Sequence, residues 1–446
     1  MKTARTQLTD LIHGGAYDQP YAHVLELQRA AADELFQLQR PRIGILDQRA
    51  RDAGIERIGS LRDIVPLLFS HTTYKSYPQS FVDKGQWDKM LRWLGTLMPI
   101  PIDHIDVSSV RNVDDWVNCL RDAGVRLYAS SGTSGRCSFV PVTASDRDKM
   151  QQIVASYTAW PNTPKADRSR RLYQLGAGAG PARQIDNVQM LAASFAKPGD
   201  LHYLSDEPLS IAFVNRHAAM RRAIAEGTAT PDSIAAYERE SADRAERMQR
   251  ALDAIAEDIY QHRAEPLLLT GPPVQHWYLL QRLRAKGMKD GTLNPNTVVS
   301  TGVGLKGAAV PDDATDQVMR FYTGVYSHLG YGMSELSSPF PRCEAGRYHC
   351  PPWIVILLLD RNGETLLNAA SGIVEGRAAF LDLLYEGRWG GLISGDKLRI
   401  DFSARCECGR PGPSILDGIT RYTDVGDDKI TCADTIDAYI RGAVEA

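Results

Sequence analysis

Apolar residues in the first part of the chain recur at helical spacing. Residues 22–40 carry them along one predicted side, and residues 86–97 and 112–123 show the same period. The pattern therefore predicts an N-terminal helical region. In the first of these helices, the side expected to be buried consists of Val24, Leu25, Leu27, Leu35, Phe36 and Leu38.

Short β-favouring runs then alternate with helical patterns. Residues 171–175, 266–270 and 297–302 are predicted strands, and residues 233–262 and 274–286 are predicted helices. This alternation is typical of a parallel, doubly wound sheet with helices on its faces, which makes the fold class α/β. In such sheets ligands bind at the loops beyond the carboxyl ends of the strands.

The pattern changes again beyond residue 350. Residues 353–359 form a continuous apolar run, and residues 393–402 alternate between polar and apolar side chains. Both segments are predicted strands of a smaller, β-rich subdomain.

Composition narrows the classes of function. The chain has 446 residues, of which 43% are hydrophobic and 24% charged, as in an ordinary soluble protein. Its net charge of -3 gives no general electrostatic reason to bind nucleic acid or an anionic membrane. With no signal-peptide pattern and no apolar run near the ~20 residues that span a bilayer, a cytoplasmic protein is expected. Seven cysteines are too few for a disulfide scaffold, so a cysteine cluster would indicate metal binding or catalysis.

A loop rich in glycine and hydroxyl residues joins two predicted strands at residues 130–138. Its glycines permit close approach, and its backbone N–H groups and hydroxyls could surround a phosphate group. The spacing of the ordinary P-loop is absent, and such a run taken alone is more often a flexible surface turn. The predicted phosphate-binding residues are Ser130, Ser131, Gly132, Thr133, Ser134, Gly135 and Arg136.

Three later loops and one arginine complete a series. Each is weak by itself, because Ser334 could simply cap a helix and Lys306 could be a solvated loop lysine. Their order and spacing are more specific than any one of them. The residues that they contribute are Gly302, Lys306, Tyr331, Gly332, Ser334, Glu335, Asp396 and Arg421.

In this order the loops resemble those of the adenylate-forming (ANL) superfamily of acyl-CoA synthetases, over about residues 120–440. The resemblance implies that residues 130–135 hold the phosphates of ATP and that Tyr331 stacks on adenine. It also implies that Glu335 carries Mg²⁺, that Asp396 holds the ribose hydroxyls and that Arg421 marks a hinge. Arg136, Lys306 and Arg421 are the candidate cations that would stabilise the triphosphate.

Two stretches narrow the resemblance. Residues 66–78 and 304–306 look most like those of luciferase-associated acyl-protein synthetases and phenylacetate-CoA ligases. The resemblance implies an ANL-type large N-terminal domain with parallel sheets flanked by helices, a small β-rich subdomain and a truncated C-terminal lobe. The corresponding divisions are a helical part (1–120), a nucleotide- and acyl-binding core (121–340), a β-rich subdomain with a metal site (341–420) and a remnant of the lobe (421–446).

A second, independent constellation consists of cysteine and histidine. Two clusters of soft ligands, one of them a tight Cys-x-Cys, suit a tetrahedral structural Zn²⁺ site. Relatives similar to phenylacetate-CoA ligase show the same pattern. Unliganded, reduced thiols are the alternative. The predicted ligands are Cys343, His349, Cys406 and Cys408, with Cys350 as the alternative to His349.

Two departures from the family pattern affect the expected chemistry. The lysine that ends the phosphate loop in many relatives is replaced by Arg136-Cys137-Ser138, and the usual lysine-bearing C-terminal lobe is not represented after Arg421. Acyl-protein synthetases are also short at this end and accept the acyl group on a cysteine. Cys432 is therefore a hypothetical acyl acceptor, although a small buried residue at a helix start is the simpler interpretation.

The expected activity is ATP- and Mg²⁺-dependent conversion of a carboxylic acid to acyl-AMP, followed by acyl transfer to a thiol. The acceptor thiol would belong to a protein or to coenzyme A. An aryl- or acyl-CoA ligase with a reduced C-terminal lobe is the nearest alternative. A non-catalytic nucleotide- or acyl-binding partner protein is the alternative from another class.

Overall fold

The computed structural model describes residues 2–131, 137–301 and 310–422, except for the side chains of Ser130 and Ser131. These residues form two compact units. The first holds residues 2–130, 137–156 and 331–422, and the second holds residues 131, 157–301 and 310–330. The four-part division expected from the sequence stays a prediction.

Helices occupy most of the first 120 residues and the connections of the second unit. Short 3₁₀ turns lie at Leu11–His13, Val65–Leu67 and Thr73–Lys75. The α-helices are α1 (Ala4–Asp10), α2 (Tyr21–Gln39), α3 (Gly44–Asp52), α4 (Leu61–Ile64), α5 (Gln79–Asp83), α6 (Trp87–Gly95), α7 (Val113–Asp122), α8 (Ala144–Tyr157), α9 (Arg183–Phe195), α10 (Ile211–Ala225), α11 (Pro231–Gln261), α12 (Pro273–Ala285) and α13 (Ala314–Phe321).

Strands occur in both units and confirm the mixed α/β class. They are β1 (Phe69–Ser70), β2 (Val125–Ser131), β3 (Cys137–Thr143), β4 (Arg170–Ala177), β5 (Ala196–Ser205), β6 (Leu267–Gly271), β7 (Val298–Thr301), β8 (Tyr326–His328), β9 (Gly330–Tyr331), β10 (Phe340–Pro341), β11 (Tyr348–His349), β12 (Ile354–Leu359), β13 (Ile373–Asp382), β14 (Gly391–Asp401), β15 (Ser414–Ile415) and β16 (Thr420–Arg421).

The second unit contains the predicted parallel sheet. Its strand order is β5-β4-β6-β7-β8, and every neighbouring pair is parallel. Helix α11 packs on this unit's core only through its C-terminal half, where Leu252, Ile255 and Ile259 are buried. The predicted strands and helices of this region are therefore confirmed.

The first unit is built on a sheet of a different kind. Strands β11-β15-β14-β13-β12 pair in that order and are antiparallel, while β1 adds to β14 in parallel. Strand β16 also pairs with β14, which sets Asp396 directly opposite Arg421. The apolar run predicted as a strand is β12, and each of its residues is buried.

Helix α2 buries Val24, Leu35 and Phe36 as predicted, whereas Leu25 and Leu27 are half-buried and Leu38 is not buried. Leu38 is 39% exposed, whereas Gln28 and Gln39 are buried. The amide of Gln28 donates to the carbonyl oxygens of Pro352 and Ile354, and that of Gln39 donates to the carbonyl oxygen of Tyr385. These hydrogen bonds compensate the burial of the two amides, so two glutamines that the pattern did not predict to be buried lie on the buried side of the helix.

Helix α8 begins with a reciprocal cap formed by Thr143 and Asp146. The Thr143 hydroxyl accepts from the Asp146 N–H, and the Asp146 carboxylate accepts from the Thr143 N–H at 3.0 Å. The same carboxylate accepts from the N–H groups of Glu386 and Gly387, at 2.7 and 3.2 Å. The start of α8 is thereby joined to the segment between β13 and β14. None of the helices in the described residues is both long enough and apolar enough to cross a membrane.

Gly387 lies too close to this cap to carry a side chain. A Cβ atom there would lie 2.6 Å from Thr143 Cγ2 and 2.7 Å from Asp146 Oδ2. We expect Gly387→Ala to lower the free energy of unfolding by about 1–3 kcal/mol, since overpacking displaces neighbouring groups. Denaturant unfolding measures this change. Gly95→Ala is the control, because a Cβ there would make only an ordinary contact with Ile102 at 3.7 Å. Equal stability of the two variants would contradict the prediction.

The pKa values of His276, which is buried, and of His328, which is half-buried, predict how the stability of the second unit depends on pH. Burial lowers the pKa of His276 to about 3 and that of His328 to about 4. Because the unfolded chain takes up these protons near pH 6.5, folding free energy from the neutral histidines is present above that pH and is lost as pH falls below it.

We expect His276→Gln to remove about 1.4 kcal/mol per pH unit of the acid dependence between pH 6 and pH 4. Urea unfolding at a series of pH values gives this slope. His23→Gln, on the exposed side of α2, should leave the slope unchanged. An unchanged slope in His276→Gln would show that the histidine titrates normally in the folded protein.

Candidate functional site

Three segments of the first unit converge on the carboxylate of Asp396. The Tyr331 hydroxyl donates to Asp396 Oδ2 at 2.8 Å, and Arg421 Nε donates to Asp396 Oδ1 at 3.0 Å. The backbone N–H of Asp396 donates to Ser394 Oγ at 3.1 Å. The pairing of β14 with β16 brings Arg421 to this carboxylate, so three residues that the sequence singled out lie in direct contact.

Tyr331 is held by an aromatic cluster. Its ring packs at a tilt against Phe340 and Phe380, with centroids 5.7 and 6.4 Å away. Burial, and then the negative charge of Asp396, raise the pKa of Tyr331 well above its ordinary value. The hydroxyl therefore stays protonated and serves as a donor to Asp396.

Glu335 lies in a buried turn and not at the start of a helix. Its pKa is raised by burial, while its own backbone N–H and the charge of Arg388 oppose that shift. Ser334 is consequently not a helix cap, because residues 332–339 contain no helix. Gly332 belongs to the same segment, where a Cβ atom would approach the Pro339 backbone at 3.3 Å.

Groups from the β13–β14 connection hold this turn. Arg388 Nη2 donates to the carbonyl oxygen of Glu335, and the Asp382 carboxylate accepts from the Ser337 N–H at 2.6 Å. The sequence analysis missed both Arg388 and Asp382. The signal that was available is an arginine flanked by aromatic residues, Tyr385-Glu386-Gly387-Arg388-Trp389, in an otherwise apolar stretch.

For several predicted site residues the structure describes no side-chain position. Ser130 and Ser131 end strand β2, and nothing is described of their side chains. The residues that lie outside the described part of the chain are Gly132, Thr133, Ser134, Gly135, Arg136, Gly302, Lys306 and Cys432.

The predicted metal ligands form a compact cluster. One ligand atom from each of Cys343, His349, Cys406 and Cys408 lies within 4.8 Å of the others. Cys408 Sγ and His349 Nε2 are 3.4 Å apart. A tetrahedral Zn²⁺ with bonds of about 2.0–2.3 Å places its ligand atoms roughly 3.5–3.8 Å apart, so the donor set suits zinc. Four protein ligands leave no open coordination position, as in a structural site.

Two matching turns supply the three cysteines. Residues 343–347 read Cys-Glu-Ala-Gly-Arg and residues 406–410 read Cys-Glu-Cys-Gly-Arg. In each turn the cysteine N–H donates to the arginine carbonyl oxygen, at 2.8 and 2.9 Å, and the glycine N–H donates to the cysteine carbonyl oxygen at 2.9 Å. Gly346 and Gly409 have φ angles of 75° and 86°, which glycine adopts without strain.

Charged pairs connect the two turns reciprocally. Arg347 of the first pairs with Glu407 of the second, and Arg410 of the second pairs with Glu344 of the first at 2.9 Å. The position that corresponds to Cys408 is Ala345 in the first turn, and His349 supplies the fourth ligand. The sequence analysis recognised the ligands but not this repeated turn.

His349 has the protonation state that metal binding requires. Burial, followed by the positive charge of Arg410, lowers the pKa of His349 to about 4, so the imidazole is neutral near pH 7. Cys350, the alternative ligand, is not a member of the cluster. It lines a cavity of about 30 Å³ together with Tyr21 and Gln28.

Comparisons with known proteins find a likeness among solved structures alone. No protein-family model matches the chain, and no curated protein matches it. Among solved structures it is similar to the adenylation domain of a keto acid-selecting NRPS module bound to keto acyl adenylate, with 13% identity and a TM-score of 0.35 over 67% of this chain and 51% of that chain. The chain thus spans about half the length of that protein. A likeness at this level carries no argument about function, which is therefore argued from the site.

Metal analysis tests the cysteine–histidine cluster. We expect purified protein to contain one zinc ion per chain and Cys406→Ser to lose it, because three remaining ligands bind zinc more weakly. Removal of the metal by a chelator should lower the unfolding temperature, since zinc binds the folded state. Cys350→Ala is the control and should keep the metal. Substoichiometric zinc in the unaltered protein, or its loss in Cys350→Ala, would overturn the assignment.

Proposed function

We propose that the protein activates a carboxylic acid with ATP to form an acyl-AMP and then transfers the acyl group to a thiol. One observation carries the proposal. Tyr331 and Arg421 both donate to the carboxylate of Asp396 although the three residues are far apart in sequence, and Glu335 follows Tyr331 in the same segment. The sequence resemblance implies that Tyr331, Asp396 and Glu335 bind ATP and Mg²⁺, and Arg421, which it places at a hinge, is also a candidate cation for the phosphates.

Asp396 retains the capacity to bind ribose. Its carboxylate has about four acceptor positions, of which Tyr331 and Arg421 use two. The remaining positions can accept hydrogen bonds from two ribose hydroxyls. Arg421, whose side chain is 53% exposed, offers further N–H groups to a phosphate or ribose oxygen.

Glu335 is the candidate carboxylate for Mg²⁺. Magnesium is commonly held by one or two carboxylates together with the phosphates of a nucleotide, so a single glutamate suits the ion. When bound, the ion would neutralise charge on the phosphates as pyrophosphate leaves. The contribution of the chain itself is to hold the Glu335 backbone in place and to compensate its charge with Arg388.

The acyl acceptor distinguishes the remaining alternatives. A protein thiol, with Cys432 as the hypothetical acceptor, corresponds to an acyl-protein synthetase, and coenzyme A corresponds to an acyl-CoA ligase. A non-catalytic nucleotide- or acyl-binding partner would bind ATP without releasing pyrophosphate. Cytoplasmic location, the phosphate loop at residues 130–136 and the cation Lys306 belong to the same proposal.

Pyrophosphate exchange tests this function. We expect a panel of fatty and aromatic acids to include at least one that supports ATP–pyrophosphate exchange. Asp396→Asn should raise the KM for ATP by about 10- to 100-fold, because hydrogen bonds to a charged group contribute about 1.5–3 kcal/mol. Asp401→Asn, on the same strand, is the matched control and should behave like the unaltered protein.

Three outcomes separate the alternatives. Exchange followed by coenzyme A consumption indicates a ligase, and exchange followed by covalent labelling of protein indicates an acyl-protein synthetase. ATP binding without exchange for any acid sinks the catalytic proposal and favours the binding protein.

A further inference from the structure

Arg388 carries a buried charge on which Glu335 and Asp382 act electrostatically, but neither forms an ion-pair contact with it in the described part of the chain. Arg388 as a whole residue is only 1% exposed. Within the described residues Arg388 makes no ion pair, and its Nε atom is buried without a hydrogen-bond partner. An unpaired buried cation is unfavourable unless its surroundings compensate it, so its neighbours indicate what it does.

Those neighbours are two tyrosines and two carbonyl oxygens. The guanidinium carbon lies 3.8 Å from the ring centroid of Tyr385 and 5.4 Å from that of Tyr74. Nη1 donates to the Tyr74 hydroxyl at 3.0 Å and to the Trp389 carbonyl oxygen at 3.4 Å. Nη2 donates to the carbonyl oxygen of Glu335. The ring faces and oxygen atoms present negative electrostatic potential to the cation.

A second side chain, that of Asp382, holds the next peptide group of the turn that carries Glu335. Asp382 accepts from the N–H of Ser337 at 2.6 Å and from the N–H of Leu384 at 3.1 Å. Arg388 and Asp382 therefore hold successive peptide groups of the turn that carries Glu335. The direction of the Glu335 side chain follows from the orientation of these peptide groups.

We propose that Arg388 is a positioning residue, whose guanidinium holds the Glu335 main chain so that the Glu335 carboxylate is aimed into the candidate active site. The inference rests on the proposed function, in which Glu335 binds Mg²⁺. Arginine suits this role better than lysine, because its planar group stacks on Tyr385 while donating in several directions at once. A lysine ammonium lacks the planar, forked arrangement of N–H groups that lets arginine stack and donate in fixed directions at the same time.

The first readout does not need activity. Amide hydrogen exchange is compared between the unaltered protein and Arg388→Lys, in peptides covering residues 331–340 and residues 343–349. We expect exchange in residues 331–340 to accelerate by about tenfold, as expected for loss of a hydrogen bond to a charged group, and exchange in residues 343–349 to stay unchanged. A residue with a merely structural role would accelerate both.

The second readout separates binding from turnover. In ATP–pyrophosphate exchange with the best acid, Arg388→Lys should lower kcat about tenfold and leave the KM for ATP within about threefold, because Tyr331 and Asp396 are intact. Arg170→Lys is the matched control. Arg170 is also a buried arginine, which donates to the carbonyl oxygens of Asn296 and Lys165, but it lies in the second unit.

A second variant protects the test against misfolding. Arg388→Met removes the buried charge together with its hydrogen bonds and leaves the Glu335 carbonyl oxygen without this donor, so denaturant unfolding is measured beside exchange to separate loss of the contact from global unfolding. Faster exchange in residues 331–340 without loss of stability would support positioning. Unchanged exchange there in both variants, or kcat equal to that of Arg170→Lys, would overturn it. If the unaltered protein shows no pyrophosphate exchange with any acid, the proposed function fails, while the hydrogen-exchange result still decides the role of Arg388.

Discussion

The guanidinium of Arg388 is removed from water, and several parts of the first unit are arranged around it so that its N–H groups meet oxygen atoms. The adjacent Trp389 continues this pattern, because its indole N–H donates to the Leu67 carbonyl oxygen at 2.9 Å. Two carboxylates also accept backbone N–H groups near Arg388. Asp382 accepts from Ser337 in the turn that carries Glu335, and Asp146 accepts from Gly387, which directly precedes Arg388. Each contact satisfies a buried polar group, so displacing one segment would leave groups of another unpaired.

These mutual hydrogen bonds explain why residues of the candidate site lie close together in space although they are far apart in sequence. The connection between β13 and β14 leads directly into the strand that carries Asp396, and it also holds the turn that carries Glu335. The cysteine–histidine cluster forms a second attachment. It joins the chain that follows Glu335 to the chain that follows Asp396, through the paired turns and their reciprocal arginine–glutamate contacts.

Local patterns predicted the elements best where one physical requirement dominated. Strand β12 and helix α11 were predicted correctly. A fully buried strand has a continuous apolar run, and a helix that is buried on one side has apolar residues at helical spacing among charged ones. Helix α2 shows the limit of such patterns. Leu38 is exposed and Gln28 is buried, since a glutamine can enter the core once distant carbonyl oxygens accept its N–H groups. No local window contains those carbonyls.

The sequence by itself determined the α/β class, the parallel sheet of the second unit and the group of cysteine and histidine candidates from which the cluster is drawn. Spacing and order along the chain were sufficient to predict these features, because each of them is marked by residue types within short segments. Only the tertiary structure decided that His349 and not Cys350 joins the cluster, that Tyr331 and Arg421 share the carboxylate of Asp396, and that Arg388 holds the turn of Glu335. Each of these depends on which groups a folded chain buries together, and burial is a property of the whole molecule.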